Sequence, residues 1–207
     1  ERGTGNEGLQ AALERLFGFP APAALWESDL LPSRLEPYFP TWLDGLFEES
    51  ELVWFGTGRE RIGFAFRPDL DLFQPLVRSP EAAEPEPGEA AAVAVRDLLA
   101  GEPRGLEIGE IVERSGLGLG AVNAALWSLV WRGEATCGSL RVLRQGIVSG
   151  FKVEVPLPEG LGMPAGGLGG GAGRSRRGLF RRWQGSAPLS GRWRTLGGRP
   201  GDATHGA

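Results

Sequence analysis

Apolar residues recur every three or four positions along the first part of the chain, which is the period of a helix with one buried face. They fill one face of residues 9–17, and Pro20 ends the predicted helix. A second short helix is predicted over residues 23–31. Thr41 is the predicted N-cap of a third helix, whose inner face includes Leu43.

The period then changes from helical to alternating. Residues 52–55 and 62–66 alternate on either side of a Gly56-Thr57-Gly58 turn, which predicts a β-hairpin. Three helices followed by a hairpin are typical of a winged helix. Residues 1–78 are therefore predicted to form a first winged-helix-like domain.

Residues 79–89 combine prolines and acidic residues without an apolar period, which indicates a linker. Beyond it the same order recurs, so residues 90–155 are predicted to form a second winged-helix domain. The fold class is thus α+β, with tandem winged helices. The predicted elements are helices over residues 90–100, 108–113 and 120–131, strands over 134–137 and 140–143, and an extended stretch over 147–155.

Residues 156–207 are rich in glycine and arginine. Fourteen of the last 47 residues are glycine, and apolar side chains are sparse, so we expect a largely flexible tail. Residues 191–196 are an exception, because they could dock as an edge strand.

Charge divides the chain unevenly. The net charge is −4 over 207 residues, yet residues 161–207 carry eight basic side chains and one acidic side chain. An acidic body with a basic tail suggests that the tail would meet a polyanion.

Several classes of protein are disfavoured by composition. One cysteine, Cys137, and one histidine, His205, exclude a disulfide framework and most metal or catalytic-triad chemistry. The sequence has no apolar run near the roughly 20 residues that cross a bilayer, and it opens with no leader pattern. We expect a cytoplasmic protein without a membrane partner.

The third helix of the second unit holds the first candidate site. Asn123 and Trp127 lie four residues apart, hence on one face, where Trp could stack on a base and Asn could bond a base edge or phosphate. The alternative is that the tryptophan is buried in the core.

Arginines supply the other candidate contacts. Arg59 and Arg61 lie in the turn of the first hairpin, where two cations suit phosphate, although charged hairpin tips are also commonly just solvated. The remaining candidates are Arg114 and Arg132 beside the third helix and Arg174, Arg176, Arg177, Arg181 and Arg182 in the tail. The tail could instead be a solubilising segment.

Several longer strings resemble one family. They are FGFPAPAALWE at 17–27, LPSR at 31–34, LD at 43–44, ELVW at 51–54, ALWSLVWRG at 125–133 with LR at 140–141, and GRW at 191–193. In this order they resemble the C-terminal extension of bacterial Lhr-type (large helicase-related) ATP-dependent DNA helicases.

The resemblance implies a superfamily 2 helicase that moves on single-stranded DNA and acts in DNA repair. In that family the extension contains winged helices and a part similar to DNA glycosylases, with an associated uracil-DNA glycosylase activity. This sequence contains no Walker A or other motor motif, so ATP and Mg²⁺ are expected only for the parent helicase, and no catalytic residue carries over. The chain looks like a fragment or a separately encoded piece.

The leading hypothesis is therefore a DNA-binding segment, with single-stranded or forked DNA and a helicase motor, in cis or in trans, as partners. A winged-helix module that binds protein is the alternative, since the acidic body repels phosphate. A glycosylase-related fragment ranks third.

Overall fold

The computed structural model describes residues 5–73, 88–153 and 191–196. These residues form helices and short strands. The elements are α1 (Gly5–Glu14), β1 (Ala21–Pro22), a π-helical turn (Trp26–Leu30), α2 (Pro40–Glu49), β2 (Leu52–Gly56), β3 (Arg61–Phe66), a 3₁₀ helix (Arg67–Phe73), α3 (Glu89–Ala100), α4 (Ile108–Ser115), α5 (Leu119–Trp131), β4 (Ala135–Cys137), α6 (Leu140–Ser149) and β5 (Trp193–Thr195).

The predicted hairpin is confirmed. Strands β2 and β3 pair antiparallel, with Leu52 opposite Phe66 and Gly56 opposite Ile62, and β1 extends this sheet along the other edge of β3. The prediction of Thr41 as N-cap is wrong. The N-cap is Phe39, and helix α2 begins two residues earlier than predicted, at Pro40, where the missing N–H of proline is no loss because the first turn has no acceptor for it.

The helices of the second unit lie close to their predicted positions, but one predicted strand is wrong. Residues 140–143 begin helix α6 instead, and Gly150 ends it in a left-handed conformation at φ 62°. Leu140, Leu143 and Ile147 share the helical spacing of three and four, so the segment has an apolar face as a helix. The extended stretch predicted from residue 147 is wrong at its start for the same reason.

The strand that pairs with β4 comes from far along the chain. β5 pairs antiparallel with β4, with Cys137 opposite Trp193, so the predicted docking of residues 191–196 is confirmed. Trp193 also exchanges two 2.8 Å backbone hydrogen bonds with Leu106. The second unit is therefore completed by a distant segment rather than by a local hairpin.

One apolar cluster runs through both units. It includes Leu43 and Trp54 from the first and Leu126 and Trp193 from the second. Thr136 in β4 donates a 2.6 Å hydrogen bond to the carbonyl of Trp54 in β2, so the outer edge of the hairpin is covered by β4. The wing hairpin is consequently an internal contact surface along most of its length.

The fold class is confirmed as mixed helix and sheet with a winged helix. Most of the predicted linker 79–89 and of the predicted tail 156–207 lies outside the described residues. None of the helices described is long and apolar enough to cross a membrane.

Candidate nucleic-acid interface

Asn123 does not face a nucleic acid, and the prediction that it does is wrong. Its side chain is buried, and its Nδ2 donates a 3.0 Å hydrogen bond to the carbonyl oxygen of Phe151. Phe151 follows α6 in a left-handed conformation at φ 60°. Asn123 thus holds the chain beyond α6 against α5, because a buried amide needs a partner.

Trp127 is also buried, so the alternative prediction, that this tryptophan lies in the core, is correct. Only 3% of it is exposed. Its ring stacks on Trp131 with centroids 5.3 Å apart, and Phe151 and Trp193 meet it edge-on at 4.7 and 5.6 Å. Trp54 of the hairpin completes the group at 6.2 Å. These aromatic rings join α5, the residues after α6, β2 and β5, and they leave almost none of the Trp127 surface for a base.

The outward face of α5 offers no basic side chain to a phosphate. It presents Leu119, Ala121 and Ala124, together with the partly exposed Ser128. Helix α2, the corresponding helix of the first unit, has no basic residue and ends at Glu48 and Glu49. Neither helix has a basic side chain, so neither offers a cation to a phosphate.

Arg114 and Arg132 are engaged by carboxylates. Arg114 lies 3.1 Å from Glu102. Arg132 Nη1 lies 2.9 Å from Glu89, and its Nε lies 3.3 Å from Glu134. Their charges are locally balanced, so a phosphate would have to compete with these pairs; contact with nucleic acid by either remains a prediction.

Arg59 and Arg61 lie at the tip of the β2–β3 hairpin. Arg59 is the more available, with 87% of its side chain exposed and its Nε 3.9 Å from Glu60. Arg61 is exposed as well, but it donates a 2.8 Å hydrogen bond to the carbonyl of Pro20. The tip is anchored below these side chains, because Gly58 N–H bonds Trp131 O at 3.1 Å.

No pattern in the sequence singles out two further arginines as candidate site residues. Arg67 begins the 3₁₀ helix after β3, and Arg194 lies in β5. Arg67 Nη2 and Arg194 Nε are both covered, and no acceptor among the described residues bonds either atom. Burial, and then the nearby Arg67, lower the pKa of Arg194. No local signal marks them, because 127 positions separate them in the sequence and only the docking of β5 brings them together.

A cluster of charged side chains around Arg144 links the two units. Arg144 of α6 contacts Glu27 at 2.6 Å and Asp44 at 2.8 Å, and Tyr38 O–H donates a 2.8 Å hydrogen bond to Glu27. Hydrogen bonding to Glu27 raises the pKa of Arg144, while burial and the same carboxylate raise the pKa of Tyr38. This cluster joins the second unit to the first, and both carboxylates share the one guanidinium of Arg144.

The five tail arginines, Arg174, Arg176, Arg177, Arg181 and Arg182, lie outside the described residues. Within the described ranges, no group of three or more His, Cys, Asp or Glu side chains could hold a metal ion.

Comparison with known proteins agrees with the winged-helix architecture. Residues 1–66 match the winged-helix domain of large helicase-related proteins. The chain is 30% identical over 148 residues to the Lhr helicase/uracil glycosylase of Escherichia coli K12, covering 64% of this chain and 9% of that protein. It is 33% identical over 153 residues to the Lhr helicase/probable uracil glycosylase of Mycolicibacterium smegmatis, covering 71% of this chain and 10% of that protein. The chain spans about a tenth of the length of these relatives, and its resemblance to part of an Lhr-type helicase is confirmed.

Proposed function

We propose that this Lhr-type helicase segment binds DNA through the phosphate backbone and positions it for a motor located elsewhere in the assembly. The exposed guanidinium of Arg59, on a hairpin tip anchored to α5, is the observation that carries the proposal. A cation on a rigid tip can hold a phosphate without an entropic penalty for ordering the loop. Base reading by α5 is not part of the proposal, because Asn123 and Trp127 lie inside.

The resemblance to Lhr-type helicases supplies the remaining parts of the proposal. They are a superfamily 2 motor in cis or in trans, ATP and Mg²⁺ bound by that motor, single-stranded or forked DNA as substrate, a role in DNA repair and a cytoplasmic location. Binding through phosphates favours no base sequence, which suits a protein that moves along DNA.

The test uses the 207-residue chain and fluorescence anisotropy with labelled single-stranded, duplex and forked DNA of equal length. Affinity should fall steeply between about 50 and 200 mM salt, as expected when phosphates are neutralised by arginine. A preference for the fork or the single strand supports the proposed substrate. Absence of binding to all three DNAs at the lowest salt would overturn the proposal.

Two variants at the tip have opposite expected effects. Arg59→Gln should weaken binding several-fold, and Glu60→Gln should strengthen it, because the carboxylate beside Arg59 both competes with and repels phosphate. Both changes lie at exposed side chains and should leave the unfolding midpoint unchanged. Equal affinities for the two variants would remove the hairpin tip from the interface.

The tail needs a separate variant, because cutting the chain after residue 160 would also delete β5. Replacing Arg174, Arg176, Arg177, Arg181 and Arg182 together by Gln keeps residues 191–196 in place. If this variant loses all DNA binding while Arg59→Gln has no effect, the DNA is bound by the tail and not by the winged helix.

A protein-binding function is the second candidate, and the acidic end of α2 favours it. Glu48 and Glu49 are exposed there, so this helix would suit a basic protein surface better than DNA. Glu48→Gln with Glu49→Gln should tighten DNA binding if α2 lies near DNA. It should instead weaken association with an isolated Lhr motor core, measured by calorimetry, if α2 is a protein contact.

A further inference from the structure

Arg67 and Arg194 lie near each other beside a small second apolar cluster. Val53, Phe55 and Ala65 of the hairpin form this cluster with Leu70 of the 3₁₀ helix, and Leu196 packs against it. Arg194 and Leu196 are two positions apart, as are Ala65 and Arg67. Since side chains two apart in an extended chain share a face, both arginines lie along the border of this cluster.

The two guanidinium groups lack the partners that half-buried cations ordinarily have. Arg67 Nη2 and Arg194 Nε are covered without an acceptor, and no carboxylate of the described residues lies within 4 Å of either guanidinium. A covered N–H without an acceptor destabilises the fold, and the penalty is larger when the group is charged. Two such cations side by side also repel each other.

Their backbone positions are nevertheless fixed. Arg67 N–H bonds Glu51 O at 2.9 Å, and Arg194 pairs with Thr136 in the β4–β5 ladder. Both residues are only partly covered, so an anion can approach each of them from its exposed side. The arrangement is a pair of fork-shaped donors on fixed backbone positions, and planar guanidinium groups of this kind suit the oxygens of a phosphate.

We propose that Arg67 and Arg194 form a binding site for a phosphate group at the junction of the hairpin and β5. The phosphate can come from a DNA backbone, in which case this inference rests on the proposed DNA-binding function, or it can be free inorganic phosphate. The negative charge of a bound phosphate would favour the charged form of Arg194, against the burial and the repulsion by Arg67 that lower its pKa.

The first experiment measures the melting temperature in sodium phosphate and in sodium chloride of equal ionic strength. The wild-type chain should gain stability in phosphate relative to chloride, and Arg67→Gln/Arg194→Gln should not. The control Arg104→Gln/Arg141→Gln removes two charges from exposed positions and should behave as wild type. Equal phosphate effects on all three proteins would overturn the site.

The same proteins distinguish a stabilising role from a binding role. Because the arginines repel each other, the Arg67→Gln/Arg194→Gln chain should melt in chloride at or above the wild-type temperature. Melting well below wild type would mean that the pair stabilises the fold, and would overturn the inference. The single variant Arg194→Lys, which keeps the charge but loses the fork, should retain the fold and lose most of the phosphate effect.

The second experiment measures DNA affinity against salt. If a backbone phosphate occupies the site, the slope of log affinity against log salt should fall by about 0.7–0.9 in the double variant. The slope should also fall more than in the Arg104→Gln/Arg141→Gln control. A chain that binds DNA, with equal slopes in both variants and no selective effect of phosphate, leaves the DNA-binding proposal standing and overturns this site. A chain that binds no DNA, yet is selectively stabilised by phosphate, keeps the site and overturns the DNA-binding proposal.

Discussion

The ring of Trp193 meets the ring of Trp127 edge-on, with centroids 5.6 Å apart and planes at 90°. Trp193 is fully buried, although 61 residues separate it from Arg132 at the end of α5. This contact makes a short segment near the C-terminus part of the core of the second unit. It also explains why a tryptophan at a predicted DNA-facing position is unavailable to DNA.

Trp127→Ala should destabilise the fold rather than the interface. Removing a buried tryptophan leaves a cavity among Trp54, Trp131 and Trp193, and we expect a loss of about 3–5 kcal/mol in the free energy of unfolding. Urea denaturation measures this loss. Leu119→Ala is the control, because it lies on the same helix but is 40% exposed and should lose far less. Reduced DNA affinity of Trp127→Ala at unchanged stability would contradict the buried role.

Arg144→Met should weaken the junction between the two units. The change leaves Glu27 and Asp44 side by side without their cation, and we expect a loss of about 2–4 kcal/mol. A second change, Glu27→Gln, should recover part of this loss, since it removes one of the unpaired carboxylates. The double-mutant cycle in urea gives the coupling. The exposed Arg141→Gln, three residues earlier, is the control, and an equal loss there would contradict a specific junction.

Tyr38 should resist ionisation. Burial, followed by the hydrogen bond to Glu27, raises the pKa of its phenol above the ordinary value of about 10. Because the unfolded chain releases this proton near pH 10 and the folded chain holds it, stability from this group is complete below pH 10 and falls as the pH rises above that value. Tyr38 is the only tyrosine, so tyrosinate absorbance reports it alone.

The Glu27→Gln variant tests the cause of the Tyr38 shift. Its phenol pKa should fall relative to wild type, because the carboxylate both accepts the hydrogen bond and repels the tyrosinate. Burial should still keep that pKa above 10. Tyrosinate formation in the folded wild-type chain with a midpoint at pH 10 would contradict the buried position of Tyr38.

Cys137 should report the docking of β5. Burial raises the pKa of its thiol to about 12, so a thiol reagent at pH 8 should label the folded chain slowly. Gly191→Ala places a Cβ 2.5 Å from Cys137 Sγ, which should displace the segment and accelerate labelling several-fold. Gly138→Ala is the matched control, since its nearest neighbour would lie 3.8 Å away. Equal labelling rates in the two variants would contradict the docking.

Two glycines should respond to alanine in opposite ways. A Cβ on Gly56 would collide with the backbone of Val130 and Trp131 at the end of α5, so Gly56→Ala should lower the unfolding midpoint markedly. Gly45 lies inside α2 with no atom within 4 Å of an added Cβ, so Gly45→Ala should raise stability by up to about 1 kcal/mol. Thermal melts of the two variants measure both effects. A tolerated Gly56→Ala would separate the hairpin from α5.

The sequence alone determined the elements whose burial pattern is local. The alternation around Gly56-Thr57-Gly58 predicted the hairpin, because a period of two suits a strand whichever element covers it. The helical spacing predicted α5 and its apolar faces. The Trp- and Pro-containing strings also indicated the Lhr resemblance without any knowledge of the contacts.

Only the tertiary structure decided which faces remain exposed. Residues 140–143 are apolar enough for a strand, yet β4 takes Trp193–Thr195 as its partner, and residues 140–149 fold as a helix. Asn123 and Trp127 share a helix face, but the sequence does not specify that Phe151 and Trp193 cover it. The pairing of Arg67 with Arg194 depends likewise on where β5 docks. Long-range contacts of this kind carry no local periodicity, so the burial of a polar or aromatic residue follows from packing and not from its spacing along the chain.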